Sequence, residues 1–423
     1  MKNLLLPLGL LLGTLAAGAA TPPAEWIDPD TGHRVRRLST EPETASLYFH
    51  QNAFLRDGRM LVQAPAGVAA LNLDTRALQV LLPRGSYQAG GSAGLEVGRR
   101  TGRVFFERDG AVWAIDPAGG PASRLAPLPA DAHLSAINAD ETLAIGTTTE
   151  PGHPPVDTWP AKGVVMHAPD GRVLTFAEMR EELINQRLEQ RVPMTLFTVD
   201  LRSGALRTLL RTTDWLGHVQ FSPTDPGLVL FCHEGNWHRV DRLWTIRTDG
   251  TGLTQVHHRQ MAMEIWGHEF FGPDGGTVWY DLQTPRGQDF WLAGVELSSG
   301  RRTWYHLERN QWSVHYNISA DGKLFAGDGG DPEMVAHAPD GKWLYLFTPE
   351  KITDSKPAAL PGAADWIQGG VLRAEKLVNL KNHDYRLEPN VRFSPDGRWI
   401  VFRSNLEGAV HTYAVEVAKA ARP

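Results

Sequence analysis

Cysteine is nearly absent from this sequence, since Cys232 is the only one among 423 residues. No intrachain disulfide can therefore form, and a zinc site built from thiolates alone is excluded. An excess of positive charge is also lacking, because 42 Lys and Arg stand against 48 Asp and Glu, for a formal net charge of −6. This balance disfavours nucleic-acid binding, which needs a basic face. Beyond the amino terminus, no apolar run is long enough to span a membrane.

The amino terminus has the three parts of a secretory signal peptide. A short positive start at residues 1–3 precedes an apolar run over 4–17, and Ala-Gly-Ala at 17–19 follows as a small-x-small cleavage site. The apolar run is shorter than the ~20 residues that a membrane anchor needs. The pattern therefore predicts a signal peptide over 1–19, a single mature domain over 20–423, and export to the periplasm or the outside of a bacterial cell.

Glycine and proline are abundant, with 42 and 29 residues, which favours a protein of many short strands and turns over a helix bundle. One pattern recurs along the chain: an apolar residue, a turn centred on Asp-Gly, then a short hydrophobic strand. Glycine permits the positive φ with which such a turn joins two antiparallel strands, so each copy predicts a β-hairpin. The copies begin at Phe54, Val97, Ile137, Phe221, Phe271, Ile318 and Phe393.

The spacing of these copies predicts a β-propeller. Successive copies are 43, 40, 84, 50, 47 and 75 residues apart, and a spacing of about 40–50 residues is that of one four-stranded blade. Seven copies predict an all-β, seven-bladed propeller with insertions near 150–195 and 348–380. The first insertion has a helical pattern over 176–191 that we expect to pack across one face, and the second is interpreted as a loop bordering a cleft. A β-sandwich with chance Asp-Gly turns would have no reason to repeat at this period.

Three histidines occupy the same place in consecutive copies, since His218, His268 and His315 each lie three residues before the start of the copy. In the last copy Asn390 takes this place, and Glu388 lies two residues before it. The first strand of each blade lines the central channel, so equivalent positions converge there, as a divalent metal site requires. The alternative is that each histidine caps a turn or bonds to the backbone, which does not explain the shared register.

A second cluster, residues 231–244, places His, Glu, Arg and Trp side chains at a strand end and the following turn, where binding and catalytic groups often collect. Cys232 beside His233 suggests a nucleophile, but the apolar run before it favours a buried strand cysteine. The sequence lacks a Gly-x-Ser-x-Gly elbow and also the glycine patterns that bind nucleotides.

Several of these segments resemble the oligogalacturonate lyase family. They are Trp-Leu-Gly-His at 215–218, Cys-His-Glu-Gly at 232–235, His-Glu-Phe at 268–270, His-Tyr-Asn-Ile-Ser-Ala-Asp-Gly at 315–322 and Gly-Asp-Gly-Gly-Asp at 327–331. The resemblance implies a seven-bladed propeller that cleaves short pectic oligosaccharides with a bound manganese-type ion, and it places a metal ligand on His268. The family's Gln-x-x-His-x-His motif before the last blade is changed here, because Tyr385, Glu388 and Asn390 replace the glutamine and the two histidines.

From this resemblance we expect a lyase that splits oligogalacturonides into unsaturated uronides by metal-assisted β-elimination. The expected cofactor is Mn²⁺, with Ca²⁺ as the alternative, and the expected partner is a uronic-acid oligosaccharide. The predicted base is His233 with His218 in reserve, Arg242 pairs with a substrate carboxylate, the metal ligands are His268, Glu388 and Asn390 with His315 or His383, and the sugar contacts are Trp237, His238, Arg239 and Tyr316. Two alternatives stay open: a lyase for another uronic-acid glycan, and a non-catalytic propeller of the TolB type that binds partner proteins in the periplasm.

Overall fold

The computed structural model describes residues 24–88, 94–152, 156–161, 163–353, 362 and 365–420. The predicted signal peptide, 1–19, lies outside the described residues and stays a prediction. The described part of the chain contains no helix with both the length and the hydrophobicity needed to cross a membrane.

Short strands in antiparallel sheets, which we call blades, make up most of the structure. Two strands, β1 (Glu25–Ile27) and β2 (His33–Arg37), precede the first blade. Blade 1 consists of β3 (Ala45–Ser46), β4 (Met60–Ala64), β5 (Gly67–Leu71) and β6 (Leu78–Pro83). Blade 2 consists of β7 (Glu96–Val97), β8 (Val104–Arg108), β9 (Ala111–Ile115) and β10 (Ser123–Pro127). Blade 3 consists of β11 (Ala132–Ile137), β12 (Leu143–Thr149), β13 (Met194–Asp200) and β14 (Leu206–Thr212), with the helix α1 (Phe176–Glu189) between β12 and β13.

The remaining blades follow in chain order. Blade 4 consists of β15 (Trp215–Phe221), β16 (Leu228–Glu234), β17 (Leu243–Arg247) and β18 (Thr254–Gln255). Blade 5 consists of β19 (Ile265–Phe271), β20 (Thr277–Gln283), β21 (Phe290–Glu296) and β22 (Arg302–Leu307), followed by a 3₁₀ turn at Arg309–Gln311. Blade 6 consists of β23 (Tyr316–Ile318), β24 (Phe325–Gly327), β25 (Trp343–Lys351) and β26 (Gln368–Asn379). Blade 7 consists of β27 (Arg392–Phe393), β28 (Trp399–Ser404) and β29 (His411–Lys419).

The predicted hairpin copies are confirmed. Each of the seven copies begins in or just before the first hairpin of one blade. Where the turn is Asp-Gly, the glycine has the left-handed conformation that the prediction requires. These glycines are Gly58, Gly275, Gly322 and Gly397, with φ of 82°, 71°, 71° and 71°. The all-β, seven-bladed propeller expected from the spacing is therefore the observed fold.

The amino-terminal strands close the ring. β2 pairs antiparallel with β29, so blade 7 takes its outer strands from the start of the chain. One apolar cluster joins Met60 of blade 1, Phe106 of blade 2 and Val401 of blade 7, all fully buried. Each such buried side chain contributes about 1.5–3 kcal/mol. Blade 1 is thus packed on both sides, as a closed ring demands.

The two insertions differ in how far they match expectation. The predicted helix over 176–191 is confirmed as α1, whose start is fixed by mutual capping bonds between Thr175 and Glu178. The interpretation of 348–380 as a loop is wrong at both ends of the segment, because β25 continues to Lys351 and β26 covers Gln368–Asn379. β26 also pairs parallel with β22 of blade 5. This pairing satisfies backbone groups that a loop would leave to solvent.

Candidate active site

The inner strands of blades 4, 5 and 7 share an unusual backbone at the register that the sequence singled out. His218, His268 and Asn390 have φ of 47°, 47° and 54°, a left-handed conformation that is uncommon outside glycine. In blades 4 and 5 the strand pairing shifts at this point, between Gly217 and Gln220 and between Gly267 and Phe270. Bulges of this kind re-aim a side chain and are frequent beside active sites.

Two of the predicted histidines, His268 and His315, meet with ring centroids 4.7 Å apart. Each donates its Nδ1 hydrogen to a buried carboxylate, His268 to Asp281 at 2.9 Å and His315 to Asp328 at 2.8 Å. This bond orients the ring and puts the lone pair on Nε2, which in His315 lies 3.3 Å from the Tyr48 hydroxyl. Burial would lower the pKa of His268, but the Asp281 carboxylate outweighs burial and raises the pKa above its ordinary value.

His218 belongs to a buried charge network. Its Nε2 lies 3.2 Å from Glu234 Oε1, and its Nδ1 lies 3.2 Å from Glu269 Oε1. Arg242, also buried, donates to the other Glu234 oxygen at 2.9 Å. Burial opposes the charged imidazole, but the two carboxylates outweigh it and raise the pKa of His218 to about 9. His218 is therefore an imidazolium at neutral pH, which disfavours it as the reserve base.

The stability of the protein is expected to fall as the pH rises through about 9. The pKa of His218 in the fold lies above the ordinary 6.5, so its protonation stabilises the fold fully below pH 6.5, and this contribution is lost above the folded-state pKa. Full deprotonation costs about 3 kcal/mol. Urea unfolding between neutral and strongly alkaline pH measures the loss, and an NMR titration of the His218 ring assigns it. A free energy of unfolding that stays constant over that range would contradict the ion pairing.

Within the stretch that replaces the family's ligand motif, Glu388 is the side chain that faces the histidines. Its Oε2 lies 3.8 Å from His315 Nε2. The amide of Asn390 is instead taken up by the backbone, because Oδ1 accepts from the Phe49 N–H at 3.1 Å and Nδ2 donates to the Glu388 carbonyl at 3.0 Å. The structure therefore does not support Asn390 as a metal ligand.

His383 is similarly occupied. Its Nδ1 contacts Ser404 Oγ at 2.8 Å and its Nε2 contacts the Leu387 carbonyl at 2.7 Å, so neither nitrogen is left for a metal. Burial lowers the pKa of His383 to about 4, which matches a neutral structural imidazole. Tyr385, which stands where the family has glutamine, donates its hydroxyl hydrogen to the Asp328 carbonyl at 2.9 Å. The prediction of His383 as a ligand is not supported.

The structure also separates His233 from the other histidines. Side chains alternate along β16, so Glu234 points to the buried network while His233 points into a different cleft of about 650 Å³. There its Nδ1 lies 3.7 Å from Asp214 Oδ2, and its ring packs 5.2 Å from that of Trp244. The expectation that His233 shares a cavity with His268 is therefore wrong. Cys232 is fully buried, and burial raises the pKa of its thiol, which confirms the buried strand cysteine.

The predicted substrate contacts are divided. Trp237 lines the same cavity as His268, and His238 is half-buried beside it. Arg239 points to α1, where it bonds to Asn185 and Glu189. Tyr316 is fully buried and accepts a bond from the Ser313 N–H at 3.1 Å, so it cannot stack on a sugar. Arg242, buried against Glu234, likewise offers no exposed fork to a substrate carboxylate.

A cavity of about 560 Å³ lies between α1 and the histidine pair. Its lining includes Phe176, Arg180, Glu181, Trp237, His268, Arg286, Asp331, Arg386 and Glu388. Across the described ranges, no three His, Cys, Asp or Glu side chains are already grouped as a metal ion needs. The nearest approach to such a group is His315 Nε2 with the Glu388 carboxylate, beside His268.

Sequence reasoning missed the carboxylates that orient the histidines. Asp281 lies on β20 opposite Gly267, a relation that only the strand register reveals. Asp328 falls within the Gly-Asp-Gly-Gly-Asp segment, and Glu269 directly follows His268. Adjacency to a candidate histidine was therefore an available signal for Glu269, whereas nothing in the sequence pairs Arg180 of the insertion with Glu388.

Comparison with known proteins agrees with this architecture. A family model described as oligogalacturonate lyase matches residues 188–421, more than half of the chain. The oligogalacturonide lyase of Pectobacterium atrosepticum is 28% identical over 234 residues, which are 52% of this chain and 55% of that protein. The oligogalacturonate lyase of Dickeya dadantii is 27% identical over the same length and shares. The alignment thus spans about half the length of these relatives.

Solved structures give the same result for the fold. An oligogalacturonate lyase in complex with manganese superposes with a TM-score of 0.71 at 22% identity, covering 93% of this chain and 96% of that one. An oligogalacturonate lyase from Vibrio parahaemolyticus superposes with a TM-score of 0.70 at 22% identity, covering 94% and 97%. With more than half of its length matched by the family model, the chain belongs to the oligogalacturonate lyase family.

Proposed function

We propose that this protein cleaves oligogalacturonate by β-elimination and releases an unsaturated uronide. The observation that carries the proposal is His268, an imidazole held by Asp281 at the wall of a cavity large enough for a sugar unit, beside His315 and Glu388. Membership of the oligogalacturonate lyase family supports the choice of substrate.

The reaction needs a base for a weakly acidic proton. Removal of the proton at C5, next to the uronate carboxylate, leaves an enolate-like charge, after which the C4–C5 double bond forms and the bond to the 4-linked oxygen breaks. His268 suits the base by its position, because Asp281 holds Nδ1–H and thereby directs Nε2, the nitrogen that would accept the proton, away from that bond. This role replaces His233, which lies in another cleft, and it differs from the metal-binding role that the resemblance implied for His268.

A divalent cation fits the other two side chains. The Nε2 of His315 lies 3.3 Å from the Tyr48 hydroxyl, consistent with a lone pair on that nitrogen, and Asp328 holds the opposite side of the ring. An imidazole together with a carboxylate suits Mn²⁺, and Ca²⁺ is the alternative that favours oxygen donors. A related solved lyase is a manganese complex. When bound, such an ion would stabilise negative charge on the substrate carboxylate.

A second candidate substrate is another uronic-acid glycan. The observation that favours it is the stretch before blade 7, where the side chain of Glu388 faces the cavity while those of Tyr385 and Asn390 are bonded to the protein's own backbone. A changed set of side chains here alters the charge that the protein presents to the carboxylate of the sugar. The reaction type would be unchanged, since the base and its carboxylate partner are the same.

The proposal is tested by incubating the protein with Mn²⁺ and oligomers of galacturonate, glucuronate or rhamnogalacturonan. Elimination creates a conjugated double bond, so we expect ultraviolet absorbance to rise with the galacturonate oligomers. A rise with a different oligomer alone would favour the second candidate. No product from any of the three, with folded and metal-loaded protein, would contradict the lyase and favour a binding propeller.

A further inference from the structure

The helix α1 covers the cavity from blade 3 although its partners belong to other blades. Glu181 accepts two bonds from Arg286, which follows β20 in blade 5, at 2.7 and 3.1 Å. It also accepts from Asn236 Nδ2, beyond β16 in blade 4, at 3.0 Å. The ring of Phe176 packs under the Arg386 guanidinium before blade 7, at 5.3 Å. These contacts hold the helix across the channel.

Arg180 lies on the cavity side of this helix. Its guanidinium stacks on Trp159 at 4.1 Å, which supports the cation while leaving the edge of its planar fork open. Its Nη1 is 3.8 Å from Glu388 Oε1, beyond hydrogen-bond distance. Its Nε is buried and has no hydrogen-bond partner among the described residues. The half-buried side chain therefore combines a positive charge with a donor that has no partner among the described residues.

Two other guanidiniums near the cavity are already paired with carboxylates, and that of Arg386, which also lines the cavity, lies over the Phe176 ring. Both terminal nitrogens of the Arg286 guanidinium donate to the Glu181 carboxylate. Arg242 pairs with Glu234 and donates to the Gly235 carbonyl at 3.2 Å. Unlike these two, Arg180 has no carboxylate within hydrogen-bond distance in the described part of the chain, although it lines the same cavity as His268.

We propose that Arg180 binds the carboxylate of a uronate unit in this cavity, and that α1 thereby sets a preference for unesterified acidic oligosaccharides. The assignment rests on the proposed function. A guanidinium matches a carboxylate with two parallel N–H···O bonds, which a methyl ester cannot reproduce at full strength. Glu388 holds the guanidinium over the cavity without saturating it, so a substrate carboxylate can take the open donors.

This receptor belongs to the insertion rather than to the segment that defines the family. The family match begins at residue 188, so all but the last two residues of α1 precede it. Glu388, by contrast, lies inside the match, where the family has a histidine. The Glu388 carboxylate and the Arg180 guanidinium face each other, so a residue from the insertion and a residue from the matched segment meet at this cavity.

The experiment compares Arg180→Gln and Arg180→Lys with Arg172→Gln as the matched control. Arg172 lies in the same insertion, is exposed and pairs with Glu178, and it is not among the residues that line the cavity. Calorimetric binding of trigalacturonate to metal-free protein gives a readout without turnover. We expect Arg180→Gln to weaken binding by about 10- to 100-fold, as for a lost charge-assisted pair, with Arg180→Lys between it and wild type and Arg172→Gln close to wild type.

Kinetics with trigalacturonate and its methyl ester complete the test. Arg180→Gln should raise KM for the free acid more than for the ester and so reduce the discrimination between them. Equal affinity and equal discrimination in Arg180→Gln and wild type would overturn the assignment while leaving the lyase intact. A different outcome would separate the two proposals: the wild-type protein binds trigalacturonate through Arg180 but forms no unsaturated product. That result would contradict the lyase and support Arg180 as a carboxylate-binding residue.

Discussion

Replacing His268 by asparagine is expected to lower the rate of unsaturated uronide formation by about 10³-fold. Asparagine is the preferred substitution because it tolerates the φ of 47° at this position better than alanine does. It removes the proton acceptor and leaves the bulge in place. The measurement is initial rate by ultraviolet absorbance, with circular dichroism to verify the fold.

The matched control is His233→Asn. His233 lies in the separate cleft beside Trp244, so its loss should leave the rate within a few-fold of wild type. Nearly full activity in His268→Asn, or an inactive but folded His233→Asn, would reverse the assignment of the base and return it to the Cys-His-Glu-Gly segment.

The second large expected effect is that the His315→Ala variant no longer retains a divalent metal ion. A side chain that only hydrogen-bonds to a metal ligand typically contributes about 10- to 100-fold to metal affinity. Removing the ligand imidazole itself should therefore weaken metal binding by at least about 100-fold. Elemental analysis after dialysis against Mn²⁺ measures the stoichiometry. The same analysis of Glu388→Gln tests the second donor.

His268→Asn is the informative comparison in this series. If His268 acts as the base, its variant keeps the metal and loses the reaction, whereas His315→Ala loses both. Metal lost from His268→Asn but retained in His315→Ala would restore His268 as the ligand that the resemblance implied. The comparison thus assigns proton abstraction and metal binding separately to His268 and His315, whose rings are only 4.7 Å apart.

The propeller was predictable because its signal is local. A short turn follows an apolar residue in every copy, and in four of the seven it is Asp-Gly with a positive φ, so the sequence marks each blade at the same point, from Phe54 to Phe393. The 348–380 segment was not predictable in this way. Its strands pair with each other across the insertion, and β26 also pairs with the edge of β22, a partner some sixty residues earlier that no local pattern identifies.

The candidate site was predictable as far as the register of the inner strands. His218, His268 and His315 do come from equivalent positions, but their neighbours differ. His218 lies between two carboxylates at 3.2 Å, whereas His268 and His315 each have one carboxylate within hydrogen-bond distance. The motif places His233 next to Glu234, but the alternation of β16 directs the two side chains apart, which the sequence alone did not reveal. The backbone bonds that take up the Asn390 amide were likewise not visible in the sequence.

The pairing of β2 with β29 has a consequence for how the molecule is made. Because β2 precedes the strands of all seven blades in the chain and β29 is the last strand that the structure describes, the ring cannot close until β29 has been synthesised. Until then, the strand edges on both sides of the open ring expose backbone groups that can pair with a strand from another nascent chain. Truncation that removes residues 411–419 would leave the ring permanently open. We therefore expect such fragments to accumulate as aggregates rather than as folded protein.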